Sequence, residues 1–236
     1  MTEILCFAPQ PPVSVAIQGS QARFPVHRIF CVGRNYHAHA AEMGVTVDKA
    51  TTQPFYFNKH PSAIAESGAD IPYPPETSNY HFEMELVVAL GAGGFQVSEA
   101  AAAGLVYGYA AGLDMTRRDL QQRAKDHAHP WDLGKDFEQA AIISPIVIKP
   151  EGALLQQGAI ELSVNQTMKQ SSNLSLMIWS VAELISDLSR YYRLLPGDLI
   201  YTGTPDGVGP VVPGDCLTGH IEGVGRVVAN ITAPLA

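Results

Sequence analysis

Short apolar segments, interrupted at close intervals by glycine and proline, are the feature that most limits the fold of this sequence. Its 236 residues include 21 glycines and 17 prolines, which leave little room for long helices. Strands need only roughly five or six residues, about half the length of an average helix. The pattern therefore predicts an α+β fold that is rich in β structure. Strands and helices do not alternate regularly, which argues against a Rossmann fold or a β/α barrel.

Individual elements follow from the apolar runs and the residues beside them. Strands are predicted at residues 13–17, 29–32, 55–58, 85–90, 106–113 and 141–148, with a hairpin formed by 160–165 and the segment after Met168. Helices are predicted at residues 35–43, 99–103, 116–125 and around 181–188. We expect Gly44 to end the first helix, Ser98 to cap the second, and Ser175 or Ser180 to cap the last. Pro-Gly-Asp occurs twice, from Pro196 and from Pro213, and predicts two type II turns.

Charge and cysteine content exclude several classes of protein. The formal net charge is −8 and no basic cluster is present, so a nucleic-acid partner is not expected. Residues 4–22 lack charges, but their prolines and glutamines argue against a membrane span, and the acidic start argues against a secretory signal. Cys6, Cys31 and Cys216 are widely spaced without a CxxC pair. We interpret them as buried bystander thiols of a cytoplasmic protein.

The segment 81–85, HFEME, leads into an apolar run. Residues two apart on a strand project from the same face, so Glu83 and Glu85 would lie side by side. Their repulsion calls for compensation, and a hard divalent cation such as Mg²⁺, Mn²⁺ or Ca²⁺ is one solution. A solvated strand face is the alternative, because two glutamates at this spacing are common. Asp114 favours the metal, since it ends a long apolar run in which an uncompensated charge would be costly.

A second pattern lies in residues 33–42, GRNYHAHAAE. On a helix, His39 and Glu42 are neighbours at i and i+3, and a carboxylate beside an imidazole raises its basicity and fixes its tautomer. Such a dyad can activate water. An ordinary surface pair is the alternative, and His37 would point elsewhere.

Further polar groups surround these two patterns. Arg118, Gln121 and Lys135 could bind a substrate carboxylate or stabilise an oxyanion, or they could simply be solvated. Residues 201–210, YTGTPDGVGP, form either a ligand-binding loop or a plain turn, and they lack the pattern of a nucleotide loop. His127 and His129 have no visible partners for a zinc site.

Six ordered segments together resemble the fumarylacetoacetate hydrolase family, most closely its acylpyruvate hydrolase branch. They are GRNYHAHAAEMG (33–44), FNKHPSA (57–63), HFEMELVVALG (81–91), LDMTRRDLQ (113–121), PWDLGKDF (130–137) and TGTPDGVGP (202–210). The resemblance implies a mixed β-sandwich or roll of the family's C-terminal-domain type with a few flanking helices. It also implies a short N-terminal strand and connector (1–25) followed by one catalytic domain (26–236). His60, where many relatives have proline, and Phe82, where some have a second histidine, depart from the family pattern.

The resemblance also implies roles for site residues. Glu83, Glu85 and Asp114 would hold one divalent cation per chain, Mg²⁺ or Mn²⁺, with Ca²⁺ possible in vitro. His39, Glu42 and Lys135 would be catalytic. The residues that would bind substrate are Arg34, Asn35, Lys59, Arg118, Gln121 and Thr204.

The activity implied by the resemblance is hydrolysis of a carbon–carbon bond in a 2,4-dioxo acid. Fumarylpyruvate, a compound of gentisate breakdown, is the expected substrate, with fumarate and pyruvate as products. Water activated by the dyad would attack, and the cation would stabilise the departing pyruvate enolate. The alternatives are decarboxylation of oxaloacetate, isomerisation or dehydration of other oxo acids, and a non-catalytic, ion-dependent binding protein. A homodimer is expected from the family.

Overall fold

The computed structural model describes residues 5–152 and 154–235, so residues 1–4 of the expected N-terminal segment lie outside the description. The strands of the described chain are β1 (Ser14–Ala16), β2 (Arg23–Pro25), β3 (Arg28–Gly33), β4 (Phe55–Lys59), β5 (Ile64–Glu66), β6 (Asp70–Pro72), β7 (Tyr80–Phe82), β8 (Met84–Leu90), β9 (Val106–Asp114), β10 (Thr116–Arg117), β11 (Ala141–Ile143), β12 (Val147–Ile148), β13 (Ala159–Val164), β14 (Thr167–Asn173), β15 (Asp198–Tyr201), β16 (Gly209–Pro210), β17 (Cys216–Ile221) and β18 (Gly225–Thr232). Its α-helices are α1 (His37–Glu42), α2 (Glu99–Ala102), α3 (Arg118–Asp126), α4 (Asp132–Lys135) and α5 (Val181–Tyr191).

The largest sheet runs in the order β4-β3-β15-β8-β9-β11-β5, with β12 paired to β9. Every residue of β8 is buried, and nearly every residue of β9, its antiparallel neighbour. Their sequences are continuous apolar runs, as strands covered on both faces require. The core of the molecule therefore surrounds this strand pair, and Glu85 and Asp114 belong to it.

A second sheet, in the order β14-β13-β17-β18-β6, packs against β8 and β9 of the first. Burial alternates along β13 and β17, so one face of this sheet is covered and the other faces solvent. The approach is close at Gly219, where a Cβ atom would lie 2.4 Å from Met84 Sδ. The two sheets form a sandwich, and the predicted β-rich α+β class is confirmed.

A small third sheet, β10-β7-β16, lies where the acidic residues sit. Strand β7 ends one residue before Glu83, and β10 begins two residues after Asp114. The backbone N–H of Asp114 donates to the carbonyl of Glu83 at 2.9 Å, which joins the two turns. This short sheet thereby holds both carboxylates at one end of the β8–β9 pair.

Several local predictions are confirmed. Gly44 adopts a φ of +72° after α1, and the N–H groups of Gly44 and Val45 bond to Ala41 and Ala40 in a Schellman motif. The predicted hairpin is β13–β14, and its turn residues Asn165 and Gln166 both have positive φ, as a type I′ turn needs.

Other local predictions need correction. The helix expected at 116–125 begins only at Arg118, because Thr116 and Arg117 pair with β7 as a strand. The strand expected at 141–148 is two strands, separated by a segment that contains Pro145. The strand predicted at residues 13–17 is present as β1, but its partner β2 was not predicted.

The thiols differ from the expectation in part. Cys31 is buried as expected, but Cys6 is exposed and Cys216 only half-buried, and all three are free. None of the described helices is long and apolar enough to cross a membrane.

Ser180, and not Ser175, caps α5. Its hydroxyl accepts from the N–H of Glu183, whose carboxylate accepts from the N–H of Ser180, forming a capping box. Ser98 occupies the N-cap position of α2, but its side chain makes no capping bond.

Replacing Ser180 by alanine is expected to lower the free energy of unfolding by about 1 kcal/mol, because an N–H of the first turn loses its acceptor. Urea unfolding measures this loss. Ser175→Ala is the matched control and should change stability by less than about 0.5 kcal/mol, since Ser175 is exposed. Equal losses in the two variants would contradict the capping role.

Candidate metal centre and active site

Three buried carboxylates converge at the end of the β8–β9 pair. Glu83, Glu85 and Asp114 each place one oxygen so that the three atoms lie within 4.8 Å of one another. Met84 pairs with Leu113 across the two strands, so Glu83 lies beside Asp114 and Glu85 follows on the same face. The spacing in the sequence therefore becomes a cluster of oxygen atoms.

Cations neutralise two of these carboxylates. Lys135 Nζ lies 2.7 Å from both Glu83 Oε2 and Asp114 Oδ2, and Arg118 pairs with the other oxygen of Glu83. Burial by itself would raise the pKa of Glu83, but Lys135 and Arg118 outweigh it and hold that pKa well below its ordinary value. Lys59 Nζ lies 2.9 Å from Asp114 Oδ1.

Glu85 is left without a cationic partner among the described residues. From the described part of the chain, its side chain receives one hydrogen bond, donated by the backbone N–H of Gly203 at 2.8 Å. Burial first, and then the charges of Asp114 and Glu83, raise its pKa well above the ordinary value. Asp114 Oδ1 receives no hydrogen bond from the described residues, although the Lys59 ammonium lies close to it. An all-oxygen cluster with these unsatisfied groups fits a hard divalent cation, and the three residues could hold one.

Close packing of α4 against α3 positions Lys135 at the acidic cluster. It ends α4, where a Cβ atom at the preceding residue, Gly134, would lie 2.8 Å from the backbone nitrogen of Gln121 in α3. Lys135 Nζ also donates to Thr116 Oγ1 at 2.7 Å. Burial would lower the pKa of Lys135, but Asp114 and Glu83 outweigh it and raise that pKa.

Gly134→Ala is expected to lower the free energy of unfolding by about 1–3 kcal/mol, because the methyl group meets the Gln121 backbone, which cannot move aside cheaply. The displacement of Lys135 should also reduce turnover. Gly209→Ala is the control, since its new Cβ atom would lie 3.5 Å from the nearest atom, which belongs to the Phe82 ring. Thermal unfolding of the two variants compares them, and equal stability would show that the helices can separate without cost.

The predicted dyad lies beside the cluster. His39 Nδ1 is 3.2 Å from Glu42 Oε2, and the other oxygen of Glu42 accepts from the Gly207 N–H at 3.1 Å. Gly207 belongs to the predicted loop at residues 201–210, has a φ of +89° and packs against the carbonyl of Lys169. The loop thus fixes Glu42, and Glu42 orients the His39 ring.

One cavity brings most of the predicted residues together. Its predicted site residues are Arg34, His39, Glu83, Glu85, Arg118, Gln121, Lys135 and Thr204. Within it, Arg118 Nη1 donates to Gln121 Oε1 at 2.7 Å. A single small molecule in this cavity would therefore meet carboxylates, cations and an imidazole at once.

Asn35 and Lys59 do not line this cavity, although the resemblance implied that they bind substrate. Within residues 5–152 and 154–235, the Asn35 side chain forms hydrogen bonds only to backbone groups of Trp179 and Thr202. Lys59 Nζ donates to the carbonyls of Met115 and Lys135 and pairs with Asp114. These contacts support positioning roles and not direct contact with a substrate.

The sequence reasoning missed other residues of the site. Gln170 is fully buried, and its Nε2 donates to Thr204 Oγ1 at 2.9 Å. The residues around it in β14 are mostly polar, so the sequence did not indicate that Gln170 is buried in the site. Lys125 lines the cavity, and its spacing of four residues from Gln121 on a helix could have indicated this. His127 and His129 are exposed, and no metal-ligand cluster of the described residues includes them.

The family model described as "Fumarylacetoacetate (FAA) hydrolase C-terminal" matches residues 28–232. The chain belongs to this family. The resemblance is therefore confirmed, as is the prediction that the chain is an enzyme of the family.

Individual members of the family are similar over most of their length. The fumarylpyruvate hydrolase of a Ralstonia species is 58% identical over 189 residues, covering 80% of this chain and 98% of the relative. The mitochondrial oxaloacetate tautomerase of Mus musculus is 41% identical, covering 83% and 87% respectively. A crystal structure of fumarylpyruvate hydrolase from Pseudomonas aeruginosa, in complex with Mn²⁺ and pyruvate, superposes with a TM-score of 0.92 at 44% identity. That superposition covers 98% of this chain and 100% of the other.

The domain boundary at residue 25, the homodimer and the cytoplasmic location stay predictions.

Proposed function

We propose that this protein hydrolyses fumarylpyruvate to fumarate and pyruvate with the help of one divalent cation. The observation that carries the proposal is the position of His39, backed by Glu42, in one cavity with Glu83 and Glu85 of the acidic cluster. The 58% identity to a fumarylpyruvate hydrolase supports the choice of substrate.

His39 is the general base of this proposal. Its Nδ1 donates to Glu42, which leaves Nε2 as the acceptor for a proton from water. The negative charge of Glu42 stabilises the imidazolium that forms, and its bond to Gly207 prevents it from turning away. The resulting hydroxide attacks the acyl carbonyl of the substrate.

Gln121 and Lys135 stabilise the oxyanion in different ways. Arg118 donates to Gln121 Oε1, so the NH₂ group of Gln121 remains available as a donor. Lys135 already directs its three N–H bonds at Glu83, Asp114 and Thr116, so it contributes mainly its positive charge.

Collapse of the tetrahedral adduct breaks the bond between the acyl carbon and the methylene carbon of the pyruvate half. The acyl carbon leaves as the carboxyl group of fumarate, and the electron pair stays with the pyruvate half. The imidazolium of His39 returns its proton to that methylene carbon, which becomes the methyl group of pyruvate, and the neutral base is regenerated. A divalent cation held by Glu83, Glu85 and Asp114 supplies Lewis acidity to the oxygens of the pyruvate half. Mg²⁺ and Mn²⁺ both suit these ligands.

Comparing three substrates tests the proposal. The protein loaded with Mg²⁺ or Mn²⁺ is incubated with fumarylpyruvate, acetylpyruvate and oxaloacetate, and the loss of each is followed. We expect kcat/KM to be highest for fumarylpyruvate. Preference for oxaloacetate over both dioxo acids would overturn the hydrolase proposal.

A second candidate is the interconversion of the keto and enol forms of oxaloacetate, favoured by the 41% identity to an oxaloacetate tautomerase. This reaction moves a proton and breaks no carbon–carbon bond. Keto–enol exchange of oxaloacetate, measured beside product formation from fumarylpyruvate, separates the two activities. Decarboxylation would instead release CO₂ in the same assay.

A further inference from the structure

Two aromatic rings and two cations form a continuous part of the cavity wall. The rings of Phe55 and Trp131 meet edge to face, with centroids 5.3 Å apart. Arg34 Cζ lies 5.4 Å from the centre of the Phe55 ring, and Lys125 Nζ lies 5.2 Å from that of Trp131. All four line the same cavity as Glu83 and Glu85, and we refer to them as the cation–aromatic wall.

The fold constructs this wall from separate segments. A Cβ atom at Gly33 would lie 2.0 Å from the Phe55 ring, so only glycine lets the ring lie where it does. The next residue, Arg34, has a φ of +60°, a conformation that non-glycine residues rarely adopt. Lys125 follows Gln121 by one turn of α3, on the same face of the helix. The wall is therefore continuous with the residues already placed in the active site.

The positive charge of the wall is not neutralised by the protein. In the described parts of the chain, neither Arg34 nor Lys125 has a carboxylate oxygen within 4.0 Å. Burial, and then repulsion from Arg118 and Arg34, lowers the pKa of Lys125 to about 8. A chain with a net charge of −8 thus keeps two unpaired cations at one cavity. Such a site attracts an anion.

We propose that Arg34 and Lys125 bind a second carboxylate at the acyl end of the substrate, while Phe55 and Trp131 contact the flat hydrocarbon before it. This inference rests on the proposed function and adds the residues that select the substrate. The preferred class is then acylpyruvates whose acyl group is planar and ends in a carboxylate. Acyl groups that end in a methyl group gain nothing from the two cations.

The test measures selectivity in Lys125→Met, which removes the charge and keeps an unbranched side chain against Trp131. We expect the ratio of kcat/KM for fumarylpyruvate to that for acetylpyruvate to fall by about 10- to 30-fold, as the loss of a charged hydrogen bond implies. Lys125→Arg should restore most of the ratio. Arg123→Met is the matched control, because Arg123 is an exposed cation of the same helix that does not line the cavity.

A binding measurement separates this inference from the proposed function. Calorimetry compares fumarate with trans-crotonate, in which a methyl group replaces one carboxylate. The Kd for fumarate should rise about 10-fold in Lys125→Met, and the Kd for crotonate should rise far less.

The outcomes then distinguish the two proposals. If Lys125→Met cleaves both dioxo acids with an unchanged ratio of kcat/KM values, the inference alone is overturned. An equal fall of this ratio in the Arg123→Met control would also overturn it. If the wild type cleaves neither dioxo acid but its fumarate binding still depends on Lys125, the proposed function is overturned. The inference that Arg34 and Lys125 bind a carboxylate would then stand.

Discussion

His39→Ala is expected to lower kcat for fumarylpyruvate by about 1,000-fold, because the attacking water loses its base. Glu42→Gln should cost less, about 10- to 100-fold, since an amide oxygen can still accept from His39 Nδ1 but cannot stabilise the imidazolium by charge. Initial rates at saturating substrate measure both effects. The two losses differ because one variant removes the base and the other only weakens it.

His37→Ala is the matched control for this pair. His37 lies in the same short helix, is exposed, and is not one of the residues that line the cavity. Its variant should retain wild-type rates. Near wild-type hydrolysis by His39→Ala would remove His39 from the role of base, whatever the identity of the substrate.

Two metal-site variants are expected to lose the cation equally and yet differ in stability. Asp114→Asn should weaken Mn²⁺ binding by more than about 100-fold, as should Glu85→Gln, because each removes a ligand from a cluster of three. In the metal-free protein, however, Asp114→Asn should cost about 3–5 kcal/mol of unfolding free energy, since it leaves Lys59 and Lys135 buried with less compensation. Glu85→Gln replaces a buried carboxyl group whose charged form has no cation beside it, so it should change stability by less than about 1 kcal/mol or increase it.

Urea unfolding in the presence of a chelator measures the two stabilities, and calorimetric titration with Mn²⁺ measures the affinities. Equal losses of stability in both variants would show that Lys59 and Lys135 do not depend on Asp114. Undiminished Mn²⁺ affinity in either variant would remove that residue from the set of ligands.

The sequence predicts the strands at the centre of the fold better than their arrangement. The runs that become β8 and β9 are apolar throughout, because both of their faces are covered, and such runs stand out. The position of β15 between β3 and β8 depends on pairing across long separations in the chain, for which local patterns carry no signal. Thr116 and Arg117 have helical composition, yet pairing with β7 decides their conformation.

In the candidate site, too, the local arrangements could be predicted from the sequence and the long-range contacts could not. The convergence of Glu83 and Glu85 follows from the two-residue period of a strand, and the proximity of His39 and Glu42 follows from the helical period. The contacts of Lys59 with Asp114 and of Gln170 with Thr204 join distant segments, so no periodicity reveals them. The pairing of Phe55 with Trp131 is equally non-local.

The insertion of β15 has a consequence for how the chain folds during synthesis. Strands β3 and β8 are both made long before residues 198–201 leave the ribosome, and β15 is the strand that bonds to both. Until it arrives, two apolar strands have unpaired edges that other chains could join. Expression at low temperature or with a holdase chaperone should therefore raise the yield more than it would for a protein whose sheet closes in sequence order. The loop that fixes Glu42 directly follows β15, so the nascent protein completes its dyad only after its central sheet.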